Sequence, residues 1–209
     1  MKYLIFLIFS IIFLSCKGLK SDEIKIGNQT WKNKNLDVST YNNGDEIPQV
    51  TDAEEWEHTT SGAWCWYDND SANYALKYGK LYNWYAINDS RGIAPLGWHI
   101  PNEYDLLNMV SILGGKDIAG SKLKESGITN WTPPNSFSTN EFGFTSLPGG
   151  MRGINSSFMY LGQFGIYWSS TQVDQLESLT LNMGYNSTKV GLIKNLKHYG
   201  FSVRLIKGK

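Results

Sequence analysis

GFSVRLIK, residues 200–207, is the stretch on which the fold turns. Phe201, Val203 and Leu205 alternate with Ser202 and Arg204, the period-two pattern of a strand with one buried face. A partner stands at the other end of the sequence. Ile24-Lys25-Ile26 alternates, Gly27-Asn28 is a turn pair, and Gln29-Thr30-Trp31 returns, which predicts a two-residue hairpin. A last strand that pairs back to this first hairpin closes everything between them into one unit.

Working inward, the clearest helix follows Pro101. Asn102 is its cap, Asp105 completes a capping-box spacing, and Leu106, Leu107, Val110 and Leu113 form the apolar stripe. Gly114-Gly115 ends it, because glycine takes the left-handed conformation of a C-terminal cap without a Cβ penalty. Residues 52–58 (DAEEWEH) predict a short helical turn capped by Asp52, with acids in the first turn. Residues 78–86 carry Leu81, Trp84 and Tyr85 at helical spacing and predict a second short helix. Trp98-His99-Ile100 reads as extended, and residues 167–171, 178–181 and 188–193 read as strands. Residues 117–163 are rich in Gly, Asn, Ser and Pro and show few periodic runs, so they are expected to be irregular. Eight Trp, twelve Tyr and nine Phe supply large buried areas to a loop-rich domain that has few cysteines to staple it.

The N-terminus has the plan of an export signal. Lys2 gives a positive start, residues 3–14 are apolar except Ser10, and Ser15 is small. The run is too short to span a bilayer core of ~30 Å as a helix. Phe13-Leu14-Ser15-Cys16 resembles the lipobox of bacterial lipoproteins, with Phe13 where Leu is usual. Residues 1–15 are therefore expected to be a lipoprotein signal peptide, Cys16 the lipidated residue, and 16–23 a short tether. The membrane is then a partner through the N-terminal lipid, and the expected location is the cell envelope, at the outer membrane or cell surface. Equal numbers of basic and acidic residues, 19 each, offer no basic face, so nucleic acid is not expected as a partner. Only Cys65 accompanies Cys16, which leaves no CxxC metal or redox site.

Several blocks occur in a fixed order: IGNQTWKNKNLDV, YNNGDEIP, WCWYDND, YGKLYNWYAIND, APLGWHIPNEYDL, NEFGFTSLPGGMR, YWSST and GFSVRLIK. In this order they resemble the Fibrobacter succinogenes major paralogous domain over residues 24–207. The resemblance implies an α+β, C-type-lectin-like fold: small antiparallel sheets, two helices and long irregular loops. It also implies distant kinship with formylglycine-generating enzymes, whose Gly-Gly and Gly-Phe-x-x-Arg signatures are similar to Gly149-Gly150 and residues 200–204. That chemistry needs a pair of copper-binding cysteines, and Cys65 alone does not supply it.

Candidate sites are few. Asp68, Asn69, Asp70 and Asn73 form the densest oxygen cluster, a candidate calcium site, although Asp and Asn also cap their own turns. Calcium is the one cofactor considered. Trp131, Phe158 and Tyr160 lie in the irregular middle and are the aromatics expected to face a ligand, since such rings stack on sugars or peptide side chains. His58, His99 and His198 show no metal spacing, and His99 is expected to be packed and hydrogen-bonded. No GxSxG elbow is present. The expected function is a non-enzymatic, lipid-anchored binding module for a glycan or an envelope protein. The alternatives are a structural or adhesin component acting by protein–protein assembly and, with least support, an enzyme with an unrecognised site.

Overall fold

The computed structural model describes residues 22–208; the expected signal peptide and Cys16 lie outside them. The first hairpin forms as the sequence predicts. β1 (Glu23–Ile26) and β2 (Gln29–Lys32) pair antiparallel with Ile24 opposite Trp31, and Gly27 supplies the positive φ of the turn. α1 (Ala53–His58) starts at Asp52, whose carboxylate accepts the Glu55 amide. After β3 (Trp64–Cys65) and a 3-10 turn (Tyr67–Asn69) comes α2 (Ser71–Tyr78), then β4 (Leu81–Tyr82) and the single-turn α3 (Trp84–Ile87). The helix expected across residues 78–86 is therefore three pieces. Gly79 at φ 68° stops α2, and the Asn83 side chain starts α3 by accepting the Ala86 amide.

β5 (Trp98–His99) leads into α4 (Glu103–Ile112), whose capping box between Asn102 and Asp105 is complete. α5 (Lys116–Leu123) follows directly. It begins at Gly115 without a side-chain cap among the described residues, which is why no signal marked it. β6 (Gly149–Arg152) and β7 (Phe158–Leu161) form a hairpin inside the stretch expected to be irregular, which narrows that stretch to residues 124–148. β8 (Phe164–Gln172), β9 (Glu177–Gly184) and β10 (Val190–Leu196) make a three-stranded antiparallel sheet, and β11 (Ile206–Lys207) ends the chain. The architecture is mixed α and β with small antiparallel sheets. It has five short α-helices among the described residues, where the family resemblance implies two.

The closing segment departs from the regular strand its alternation predicts. Only Ile206 and Lys207 are a strand, pairing between β2 and β5, with Ile206 opposite both Trp31 and His99. Residues 201–206 are buried on both faces. Their backbone bonds go to different partners in turn: Phe201 exchanges bonds with Tyr82, Ser202 accepts from Trp168, Val203 from Leu36 and Leu205 from Lys32. The segment is a spine that ties β2, β4 and β8 together. Trp168 and Phe201 pack edge-on at 4.8 Å beside it.

Four buried cations hold the irregular chain around this spine. Arg204 is 1% exposed, stacks 4.3 Å from the Phe144 ring, and donates to the carbonyls of Lys32 and Phe144 and to Asn35 Oδ1. Arg152 lies 4.4 Å from Trp56 and donates to the carbonyls of Val50, Thr51 and Asp52. Lys124 reaches the carbonyls of Gly184 and Ser187, and Lys197 those of Asp174 and Gln175 while lying 4.7 Å from the Trp84 ring. Each replaces lost hydration with charge-assisted bonds to carbonyls that regular structure leaves unpaired. Replacing Arg204 by Met removes the donor from three buried acceptors, at about 1–3 kcal/mol for each group left unsatisfied. Urea unfolding of Arg204→Met is expected to show a loss of at least about 2 kcal/mol; a loss under about 0.5 kcal/mol, within the range of surface substitutions, contradicts the role given to this side chain.

Candidate functional site

A cleft of about 510 Å³ opens among the segment that leaves β2, the end of α2 and the irregular middle. Residues 33–37, which leave β2, form one wall; the C-terminal half of α2 forms the second; Glu125, Asn130, Thr145 and Leu147 form the third; Arg204 lies at the base. Asn35 joins these parts. Its amide donates to the Tyr78 carbonyl at 2.9 Å and to Ser202 Oγ at 3.2 Å, while its oxygen accepts from Arg204 at 2.9 Å. Asp37 is paired with Lys80 at 2.7 Å, and Lys80 lies 4.5 Å from the Trp64 ring. The Asn130 amide donates to both Glu125 carboxylate oxygens, at 3.0 and 2.9 Å. Burial, then the Glu125 charge, pushes the Tyr78 hydroxyl above its ordinary pKa.

Two side-chain oxygens in this cleft are buried and find no donor among the described residues: Asn33 Oδ1 and Asn130 Oδ1. Buried polar atoms are almost always paired, so these two are exceptions, whereas the Glu125 carboxylate beside them accepts from the Asn130 amide on both oxygens. Leu76, fully exposed, stands on the rim as an apolar edge.

A smaller hollow of about 220 Å³ lies where β11 meets the start of α4. There His99 Nε2 lies 3.0 Å from Asp105 Oδ2, which also accepts the Asn102 amide of the capping box. His99 is hydrogen-bonded as expected, but its side chain is 41% exposed rather than packed away.

The residues singled out in the sequence go to different places. Trp131 is 1% exposed, donates from its indole nitrogen to the Ser146 carbonyl at 3.1 Å, and packs in the core with Trp31 and Tyr167. Its expected ligand-facing position is thus corrected: the Trp131 ring fills the space beneath the loop that carries it. Phe158 is half-buried between Tyr67, at 5.3 Å, and the Arg152 guanidinium, at 5.2 Å, and serves packing. Tyr160 is 45% exposed on β7. These three aromatics do not form one surface.

The Asp68–Asn73 stretch spends its oxygens on its own turn. Asp70 caps α2, accepting the Asn73 backbone amide at 3.1 Å and the Asn73 side-chain amide at 2.6 Å, one on each oxygen. The Asn69 amide donates to Thr51. What remains, the Asp68 carboxylate with Asn69 Oδ1 and Asn73 Oδ1, falls short of the six to eight oxygens calcium takes. Among the described residues no group of three or more His, Cys, Asp or Glu side chains is placed to hold a metal ion.

Asn33, Glu125 and Asn130 were not marked by any sequence motif, because two distant segments contribute them. The one local signal is the Lys-Asn-Lys-Asn run at 32–35, which leaves a strand with two amides on successive same-side positions.

A sequence model of the Fibrobacter succinogenes major domain matches residues 24–207, and the chain belongs to that family. No curated protein and no solved structure matches it.

Cys65 has no access to solvent, and burial pushes its thiol up to about 12. Its folded value lies above the ordinary 9.0, so the stability linked to it is complete below about pH 9 and declines as pH rises toward 12. In a Cys16→Ser background, Cys65 is expected to resist a thiol-reactive reagent at pH 8 and to label on unfolding in urea; equal labelling in the folded state contradicts the burial.

Proposed function

We propose that the chain is an extracytoplasmic, lipid-anchored binding module that takes a glycan in this cleft and performs no catalysis. The observation that carries this is the cleft itself, lined by Asn33, Asn35, Asp37, Glu125 and Asn130 with Arg204 among them. Sugar hydroxyls, donors and acceptors spaced along a compact ring, match amide and carboxylate side chains of this kind. Side chains already locked by Asn35 and Arg204 give the cleft a fixed shape, which lowers the ordering cost of binding. The second reading, an envelope or adhesin component acting by protein–protein assembly, is favoured by Leu76 on the rim and by Phe137, 84% exposed elsewhere on the surface.

The same proposal includes a C-type-lectin-like fold. It is supported by the meeting of β2 with the closing β11 in one sheet and by a separate three-stranded sheet placed after the irregular middle. The anchor rests on the N-terminal sequence. Among the described residues no helix is long and apolar enough to cross a membrane. The acyl chains on Cys16 would tether the domain through a few residues, close to the envelope surface.

Cys16→Ala is expected to shift the protein from the membrane fraction to the soluble fraction; retention in the membrane contradicts lipidation at that residue. For the cleft, the full chain is screened on an array of neutral oligosaccharides and the best hit is measured by titration calorimetry. Asn33→Leu and Asn130→Leu keep the side-chain shape and remove the acceptor. Each is expected to weaken binding about tenfold, the equivalent of one hydrogen bond to a buried group. Unchanged affinity in both variants contradicts the site. Titrations with calcium and with a chelator are expected to agree, because Asp70 is committed to the cap of α2; affinity that requires calcium restores a cation role for Asp68, Asn69, Asp70 and Asn73.

A further inference from the structure

One end of the four-stranded sheet gathers Asp22, Glu23, Lys32, Trp98 and Lys207. Glu23 opens β1 opposite Lys32, the last residue of β2, and Lys207 closes β11 opposite Trp98, the first residue of β5. The charges interlock. Lys32 Nζ lies 2.8 Å from the Asp22 carboxylate and 3.9 Å from that of Glu23, and Lys207 Nζ lies 3.2 Å from Glu23. Both ammonium groups also lie over the Trp98 ring, at 4.4 and 5.5 Å from its centroid. Lys34 acts on the Asp22 carboxylate too, so three lysines face two acids at this end.

A turn lies beside them. The Trp98 amide donates to the Pro95 carbonyl at 2.9 Å, Gly97 at φ 83° completes the reversal, and the Gly208 amide ties the Gly97 carbonyl to the end of β11 at 2.8 Å. Leu96 is at the tip and is 102% exposed, between exposed Pro95 and Gly97. A single exposed leucine needs no explanation. This one stands next to a tryptophan held between two lysines. An apolar tip, an amphipathic ring and long cations whose stems follow apolar surface while their heads stay in water are the side chains that settle at a bilayer interface.

The length of the tether selects the same end. Asp22 is six positions from Cys16, and six residues fully extended span at most about 22 Å. A folded domain of this length is about 40 Å across. The surface around Asp22 is therefore the part of the domain that an anchor at Cys16 keeps within reach of the headgroups.

We infer that this end of the sheet is a membrane seat: Leu96 and Pro95 enter the boundary between headgroups and acyl chains, and Trp98, Lys32 and Lys207 lie at the level of the headgroups. The inference rests on lipidation at Cys16. The acyl chains hold the domain at the envelope; the seat sets which way it faces.

The test uses the full lipidated chain on vesicles of phosphatidylethanolamine and phosphatidylglycerol. Flotation with the vesicles reports the anchor. A fluorophore on Leu96→Cys, and for comparison on Ile193→Cys in β10, reports the seat; Cys65 is buried and does not compete for the label. Nitroxide-bearing lipids are expected to quench the label on Leu96→Cys several-fold more than the label on Ile193→Cys. A second measurement needs no label. Burying one leucine side chain favours the seated orientation about tenfold. Lys207 is therefore expected to react with a water-soluble acylating reagent about tenfold more slowly on vesicles than in soluble Cys16→Ser protein, and Leu96→Asp to remove most of that protection. Lys189, which is 68% exposed, is expected to react equally in both forms. Equal quenching of the two labels, or a Lys207 as reactive on vesicles as in solution, overturns the seat and leaves the anchor standing where the chain floats. Protection of Lys207 that Leu96→Asp leaves intact also overturns it. Failure of the parent chain to float overturns the anchor and the seat with it.

Discussion

The structure depends on the Arg204 guanidinium inside the protein. Moving a guanidinium out of water is costly unless its charge and its hydrogen-bond donors are matched. Here the Phe144 ring, Asn35 Oδ1 and the carbonyls of Lys32 and Phe144 match them. The bonds serve both partners, because Lys32 ends β2 and residues 144–145 run outside regular structure, and their carbonyls need donors. Arg152, Lys124 and Lys197 repeat the arrangement under three other irregular segments. Burial alone pulls the Lys124 ammonium down to about 8, so its bonds to Gly184 and Ser187 hold a charge that has little to spare. A domain with many loops and no disulfide among its described residues is thereby fixed from within, by cations acting as internal caps.

The same constraint shapes the cleft. Arg204 and Asn35 lie at its base and bind its first wall to the segment bearing Thr145. Glu125 and Asn130 are held to each other and, through the Glu125 amide, to Ser146. Two of the walls are irregular in backbone yet held by these bonds, which suits the proposed ligand: the side chains that would meet it are already placed. Binding surfaces are often carried by loops on a rigid scaffold, and here the rigidity is built into the loops.

Local chemistry made part of this fold legible in the sequence. The hairpin across Gly27-Asn28, the Asp52 cap and the Asn102–Asp105 capping box each depend on residues a few positions apart, and each formed where expected. Where the sequence misled, distant contacts had decided. Alternation in residues 201–206 implied one buried face, but packing covers both, so the backbone bonds fan out to several elements instead of one ladder. Trp131 looked available because polar and turn-forming residues surround it, whereas its ring supports those residues from below. The candidate cleft was the least legible part. Asn33 and Asn130 lie nearly a hundred positions apart, and an orphaned oxygen is a property of the folded surroundings, not of the residue. Tyr160 was legible as an aromatic in an irregular stretch, and it stays 45% exposed on β7.

Native-state hydrogen exchange tests most directly whether buried cations make the irregular middle a fixed part of the domain. Backbone amides that are hydrogen-bonded in residues 124–148, such as those of Glu125, Thr139 and Ser146, should exchange within about tenfold of the amides of β8 and β9, because they open only when the domain unfolds. Exchange of those amides at the rate of unstructured chain, while β8 and β9 stay protected, would show that the loops move independently and would contradict the account.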